Sequence, residues 1–179
     1  MKKVLLVLLT ILLPLQAFSP EVGEKIKNEQ SINVLSQIIY EQRISDLNNF
    51  VRNNNPFNIR YSSRRDWVGK TEPCNRGFET FSRLDYGIKA GFELLQIYHS
   101  SWGLKTIESI IYRYAPPHEN DTDYYVNYLA RMLNYPRNKI IPIENRDFVI
   151  DLTYFLIKME TGKTIEKVVL QNVYDKYIT

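Results

Sequence analysis

The chain has 179 residues, of which 44% are hydrophobic, 13% aromatic and 24% charged. This length suits one domain with a genuine core, and the apolar fraction excludes a disordered chain. The single cysteine, Cys74, excludes an internal disulfide framework and a cysteine-clustered zinc site, and the formal net charge is +3.

The N-terminus has the pattern of an export signal. Lys2 and Lys3 precede an apolar run over residues 4–15, and small Ala17 follows. Twelve helical residues rise about 18 Å, which is too short for a bilayer core of about 30 Å. We therefore expect a signal peptide over residues 1–17, with a short membrane anchor as the alternative, and an exported chain, periplasmic or extracellular.

Removal of that signal leaves a single predicted domain over residues 18–179, without a membrane span. Lysine and arginine then fall from 23 to 21 against 20 acidic residues, so the net charge becomes +1. A nearly balanced surface argues against nucleic acid as the main partner, because phosphate binding needs a concentrated basic patch.

Helical patterns dominate the remaining sequence. After a loosely ordered entry over residues 18–30, a helix is predicted over 32–51, with an apolar stripe that includes Ile32, Leu35, Ile38 and Ile39. Further helices are predicted after 82, 106, 121, 145 and 164. The predicted N-terminal caps are Ser82 (in a capping box with Asp85), Thr106, Asp121 or Thr122, and Asn145, and Gly162 is the predicted C-terminal stop.

Residues 56–81, called the insert below, have a different composition. Glycine, proline, serine and aromatics dominate there, and residues 58–61 and 77–81 alternate like two short strands. The predicted fold class is therefore mainly α, with a small β-hairpin or irregular insert.

Several kinds of chemistry are excluded by the residues present. His99 and His118 have no metal-binding spacing, and the sequence has neither a phosphate-binding glycine loop nor a serine in a nucleophile elbow. We expect no metal and no cofactor.

What remains is a set of carboxylates, amides and aromatics, which are the groups that glycan cleavage needs. Two segments concentrate them: residues 53–61, rich in asparagine, and residues 114–125, in which a double proline precedes Glu119. Each segment also has a purely structural interpretation. Asparagine and proline in the first segment can form a turn without any ligand, and residues 119–121 of the second are of the types that ordinarily cap a helix.

An ordered set of motifs resembles a family of small phage-virion and bacterial proteins, usually described as virion structural protein or lysozyme-like. The motifs are NNPFNIRY (54–61), WVG (67–69), GFETF (77–81), DYGIKA (85–90), YAPP (114–117), ENDT (119–122) and METG (159–162). The resemblance covers residues 53–162 and implies a lysozyme-like helical domain that acts on peptidoglycan glycan strands.

The resemblance also orders the candidate catalytic acids. Glu119 and Glu79 lie inside the matched region and rank first and second. Glu41 ranks third. The asparagine stretch is distantly similar to one in bacterial cell-wall glucosaminidases, where it follows a helix that ends in the catalytic glutamate; the same order here would make Glu41 the equivalent, but Glu41 lies outside the matched region.

Six residues are predicted to bind the glycan, with Trp67 and Tyr61 expected to face it: Asn55, Asn58, Arg60, Tyr61, Trp67 and Tyr114. Most large aromatics are core residues, so a core role is the alternative for each ring.

Two functions follow from these residues. The first is an exported glycan-strand hydrolase or lytic transglycosylase-like enzyme, which requires a cleft with a recessed glutamate near Asn58. The second is a non-catalytic cell-wall-binding or virion-type structural module, in which the same glutamates only cap helices.

Overall fold

The structure is a computed structural model that describes residues 20–47, 51–72 and 76–178. The predicted signal peptide lies outside these residues, as does Cys74. The chain divides after Arg43 into two compact units, which are described separately.

The first unit contains most of one long helix, α1 (Pro20–Asp46). The helix begins at Pro20, so the expected loose entry over 18–30 is wrong from that residue onward. Four apolar side chains of the predicted stripe are between 42% and 61% exposed: Ile32, Leu35, Ile38 and Ile39.

The second unit contains the other five α-helices found in the described part of the chain. They are α2 (Leu84–Gln96), α3 (Ile107–Tyr114), α4 (Thr122–Met132), α5 (Arg146–Thr161) and α6 (Lys167–Tyr177). A π-helical segment, Ile97–Ser101, continues α2. The prediction of a mainly helical fold is confirmed.

Most of the predicted helix ends have the expected hydrogen bonds. The side chains of Thr106, Asp121 and Asn145 accept from backbone N–H groups at the starts of α3, α4 and α5, and Gly162 ends α5 with a φ of 68°. The capping box predicted at Ser82 is wrong, because α2 begins after Arg83, whose side chain makes no cap hydrogen bond.

The core lies among α2, α5 and α6, which pack against one another. Ile88 and Phe92 on α2, Leu156 on α5 and Val173 on α6 are at most 1% exposed, and the Phe92 ring meets Tyr174 edge to face at 5.2 Å. The α3–α4 pair joins this core through α5. This apolar body fixes the helices that position the site.

The insert is irregular in its described residues and contains isolated antiparallel bridges, Arg60 with Phe78 and Lys70 with Phe81, instead of regular strands. It begins after a 3₁₀ turn, Arg52–Asn54, that packs on α2. Gly87 permits this contact, because a Cβ there would lie 1.8 Å from the Asn54 carbonyl oxygen.

Candidate functional site

A cleft of about 800 Å³ opens on the second unit. The insert supplies one wall, and the turn between α3 and α4 supplies part of the opposite one. The cleft is lined by many polar and aromatic side chains, among them Asn58, Arg60, Tyr61, Arg64, Arg65, Trp67, Tyr98, Trp102, Arg113, Tyr114, His118, Glu119 and Glu160.

Glu160 is the recessed carboxyl of this cleft. It follows Leu152 and Leu156 at four-residue spacing on α5, and both leucines are buried, so Glu160 continues the inward face of the helix. Its Oε2 accepts a hydrogen bond from the Asn58 Nδ2 at 2.8 Å, and its Oε1 accepts one from the Tyr125 hydroxyl at 2.8 Å. One carboxylate therefore ties α5 to the insert and to α4.

Burial raises the pKa of the Glu160 carboxyl above its ordinary value, because the charged form loses solvation. Hydrogen bonds from Asn58 and Tyr125 act in the opposite direction, since they stabilise the carboxylate. Burial also raises the pKa of Tyr114 and Tyr125 well above the usual tyrosine value, so both remain protonated donors. The site holds a carboxyl whose protonated form persists to higher pH than that of a solvated glutamate.

Asn58 reaches Glu160 because the preceding loop is fixed by Asn55. The buried Asn55 amide donates to the carbonyls of Ile59 and Glu79 at 3.0 Å, and its Oδ1 accepts from the Ile59 N–H at 3.0 Å. Asn58 itself has a φ of 47°, a conformation that asparagine tolerates better than most residues. Asn55 therefore shapes the loop and does not line the cleft, whereas Asn58 does.

Glu119 lies in the turn after α3, on the wall opposite the insert. Its Oε2 pairs with the Arg60 guanidinium at 2.5 Å, and its Oε1 lies 3.3 Å from the His118 Nε2. The Glu119 side chain is 40% exposed. Arg60 and Glu119 were both predicted site residues, and the fold places them in contact across the cleft.

Glu79, by contrast, has a fully buried side chain and does not line the cleft. Its Oε1 accepts from the Lys70 Nζ at 3.1 Å and from the Ser62 backbone N–H at 3.0 Å. Lys70 also donates to the carbonyls of Ser62 and Arg65. This arrangement suits a structural ion pair inside the insert.

Glu41 lies on α1 in the first unit, where its Oε1 accepts from the Gln37 side chain at 2.7 Å.

Tyr61 is 43% exposed and lines the cleft, as predicted for a ligand-facing ring. Trp67 also lines the cleft but is only 6% exposed, so its ring is largely covered. Tyr114 lies deeper, and its hydroxyl donates to the Phe57 carbonyl.

Glu160 was not a predicted site residue, although it lies within the METG motif (159–162). The signal available was the four-residue spacing from Leu152 and Leu156, which places a carboxyl on an otherwise apolar helix face. Four further residues of the same cleft were not among the predicted site residues: Arg65, Tyr98, Trp102 and Arg113.

The described residues contain no group of three or more histidine, cysteine, aspartate or glutamate side chains suited to a metal ion. Among the same residues, no helix has the length and apolar character needed to cross a membrane.

The fold and the site define a small helical protein with an arginine- and aromatic-lined cleft around a recessed carboxyl. No protein-family model matches the chain. A curated relative is Protein P5 of Pseudoalteromonas phage PM2, which is 37% identical over 131 residues, covering 72% of this chain and 80% of the relative. The chain belongs to the family of this phage protein.

Proposed function

We propose that the cleft cleaves the glycan strand of peptidoglycan, with Glu160 as the general acid. The observation that carries this proposal is the recessed Glu160 carboxyl, with its raised pKa, beside Asn58 in a cleft of about 800 Å³. The sequence predicted a cleft with a recessed glutamate near Asn58 for an enzyme, and Glu160 has that position.

In this reaction the protonated Glu160 donates its proton to the glycosidic oxygen as the bond from that oxygen to the anomeric carbon breaks. The resulting carboxylate then accepts a proton from the oxygen nucleophile that attacks the anomeric carbon. That nucleophile is water in a hydrolase or the sugar's own 6-hydroxyl in a lytic transglycosylase-like reaction. The second route needs only one acid–base group, which suits a site with one recessed, half-buried carboxyl.

Other cleft residues have supporting roles in this proposal. Asn58 and Tyr125 hold the Glu160 carboxyl in place through their hydrogen bonds. Arg60 and the exposed ring of Tyr61 contact the sugars, and Glu119 is the second carboxylate available to the site. The N-terminal export pattern agrees with a substrate outside the cytoplasm.

The pH dependence follows from the direction of the Glu160 pKa. The general acid must be protonated, so activity falls as the pH rises through that pKa. Because burial raises the pKa, the fall occurs at a higher pH than for a solvated glutamate. We expect this falling limb in the rate of glycan cleavage.

The deciding experiment measures release of reducing ends and of anhydro-sugars from purified cell wall. We expect Glu160→Gln to lower the rate at least ~100-fold, in line with the loss of a general acid. Glu144→Gln, at an exposed residue outside the cleft, is the matched control and should retain the wild-type rate. Equal rates for the wild type and Glu160→Gln would exclude this mechanism, and a comparable loss in Glu119→Gln would make Glu119 a second catalytic group.

A non-catalytic wall-binding or virion-type module is the second candidate. The observation that favours it is that both oxygens of Glu160 already accept hydrogen bonds from Asn58 and Tyr125, as in a structural carboxylate. It predicts that the wild type is retained on cell wall without releasing glycan, and that Glu160→Gln lowers the stability of the fold.

A further inference from the structure

Four side chains form a cationic aromatic cluster in the cleft: Arg65, Trp67, Trp102 and Arg113. The Trp102 ring lies under two guanidinium groups, with Arg113 at 5.0 Å and Arg65 at 5.9 Å from its centroid. Arg65 also lies 5.4 Å from the Trp67 ring. Trp102 is 45% exposed, so one indole remains open to a ligand.

The π-helical segment that continues α2 places Trp102 in this position. The backbone N–H of Trp102 donates to the Ile97 carbonyl at 3.1 Å, and the backbone N–H of Leu104 donates to the Tyr98 carbonyl at 2.9 Å. Gly103, with a φ of 68°, ends the helix directly after the indole. The Tyr98 ring supports Trp102 at 5.2 Å, so the exposed indole is held on a packed base. Segments of π-helix occur frequently at functional sites.

The charges of the cleft are unbalanced. Four arginines and two glutamates line it, and Arg60 is already paired with Glu119. Within the described residues, no carboxylate forms a salt bridge with Arg65 or Arg113. These two guanidinium groups, beside an open indole, can therefore bind an anion attached to a ring.

We propose that this cluster is a subsite for a carboxylate-bearing sugar unit of the glycan strand. The proposal rests on the proposed function and names the part of the substrate that the cluster recognises. A sugar ring packs against the exposed part of the Trp102 indole beside the two guanidinium groups, while Arg65 and Arg113 bind the carboxylate through paired N–H donors. In peptidoglycan that carboxylate belongs either to the lactyl group of the amino sugar or to the peptide attached to it.

A nucleic acid is the competing anionic ligand. Arg65 and Arg113 lie over one indole ring, so the cluster matches a single anionic group beside a ring, whereas a nucleic acid carries a phosphate on every nucleotide. The cleft therefore favours a ligand with spaced charges.

The experiment measures binding by tryptophan fluorescence in the full chain carrying Glu160→Gln, so that no ligand is cleaved. The sequence has two tryptophans, Trp67 and Trp102, and both belong to the cluster. Three probes separate the sources of the carboxylate: a peptide-free tetrasaccharide with free lactyl groups, a tetrasaccharide with attached peptides, and a neutral N-acetylglucosamine tetramer. A single-stranded oligonucleotide is the fourth probe.

We expect at least one acidic glycan to bind ~10-fold or more tightly than the neutral tetramer, with the preference decreasing at high salt. Arg65→Gln and Arg113→Gln should each weaken acidic-glycan binding ~10-fold or more, and should change neutral binding less than ~3-fold. Arg131→Gln removes the same charge outside the cleft and should leave all affinities unchanged.

Equal binding of the acidic and neutral glycans, or no binding of either, would overturn the subsite. A preference that persists in both arginine variants would do the same, as would tighter arginine-dependent binding of the oligonucleotide. If an arginine variant fails to fold, the subsite is still tested by the Glu160→Gln chain, which keeps both arginines: its affinity for the acidic glycan should decrease as the salt concentration rises. A retained preference without glycan cleavage by the wild type would overturn the proposed function alone.

Discussion

The two walls of the cleft are stabilised in different ways. The helical body from α2 to α6 packs through apolar side chains such as Ile88 and Leu156, which are almost completely buried. The insert depends instead on buried polar side chains, the Asn55 amide and the Glu79–Lys70 ion pair. Apolar packing tolerates small changes, whereas a buried polar group that loses its partner remains desolvated and unpaired. We therefore expect the insert to be the more fragile wall.

The largest expected effect comes from breaking the buried ion pair of the insert. Glu79→Ala leaves the Lys70 ammonium, whose side chain is 16% exposed, with only the Ser62 and Arg65 carbonyls as acceptors; we expect a loss of about 3 kcal/mol in the free energy of unfolding, measured with denaturant. Glu72→Ala, at an exposed residue of the insert, is the control. The double variant Lys70→Met/Glu79→Leu should recover part of the lost stability. If Glu79→Ala unfolds at the same denaturant concentration as the wild type, the insert does not depend on this pair.

A second prediction concerns the contact between the insert and α2. In Gly87→Ala the new Cβ would lie 1.8 Å from the backbone oxygen of Asn54, so the 3₁₀ turn before the insert has to move. We expect a loss of about 1–3 kcal/mol in thermal or denaturant unfolding, as for other overpacked sites. Because this turn precedes Asn58, the proposed function also predicts less glycan cleavage; unchanged stability would contradict the close approach.

A third prediction tests the helical body through a local interaction. The Thr106 hydroxyl accepts from the Ser109 N–H, and the Ser109 hydroxyl accepts from the Thr106 N–H. Thr106→Ala removes half of this capping box and should cost about 1 kcal/mol in denaturant unfolding. Thr106→Ser keeps the acceptor and should remain near wild type; equal losses in the two variants would point to a packing effect of the methyl group.

The smallest effect is expected at the surface pair between α5 and α6. Arg146 donates to both oxygens of Asp175, at 2.6 and 2.7 Å, and these hydrogen bonds lower the pKa of Asp175. A lowered carboxyl pKa stabilises the fold above the unfolded-state pKa, and this stabilisation is lost as the pH falls through the folded-state pKa.

Because the Asp175 side chain is 50% exposed, Asp175→Asn should cost less than about 1 kcal/mol near neutral pH, and less at high salt. Unfolding curves at neutral and acidic pH measure this difference. A loss that is as large at low pH as at neutral pH would contradict the assignment to the ionised pair.

Some of the fold could be predicted because its causes are local. Thr106, Asp121 and Asn145 cap helices through hydrogen bonds to residues three positions later, and such bonds depend on a few adjacent residues. The capping box predicted at Ser82 is wrong because Asp85 makes a tertiary contact. The Asp85 carboxylate that should have completed its capping box is buried and accepts from Arg83 and Tyr177 instead.

The site was predictable only in part. Asn58, Arg60, Tyr61 and Glu119 were predicted site residues and do line one cleft, because the motifs concentrate charged and amide groups, which are seldom buried in an apolar core. Glu160 follows Asn58 by 102 positions, and nothing in the local sequence indicates that their side chains meet.

The sequence by itself determined the helical class, most of the helix caps and the set of carboxylates, amides and aromatics available for chemistry, because periodicity, caps and composition are properties of short segments. The tertiary structure alone decided which carboxyl is recessed. The packing of α5 against the insert and α4 leaves Glu160 half-buried beside Asn58 and Tyr125, whereas Glu79 lies inside the insert and Glu119 at the rim. Burial and hydrogen-bond partners, which set the pKa of a carboxyl, come from residues far apart in the chain, so they exist only after folding.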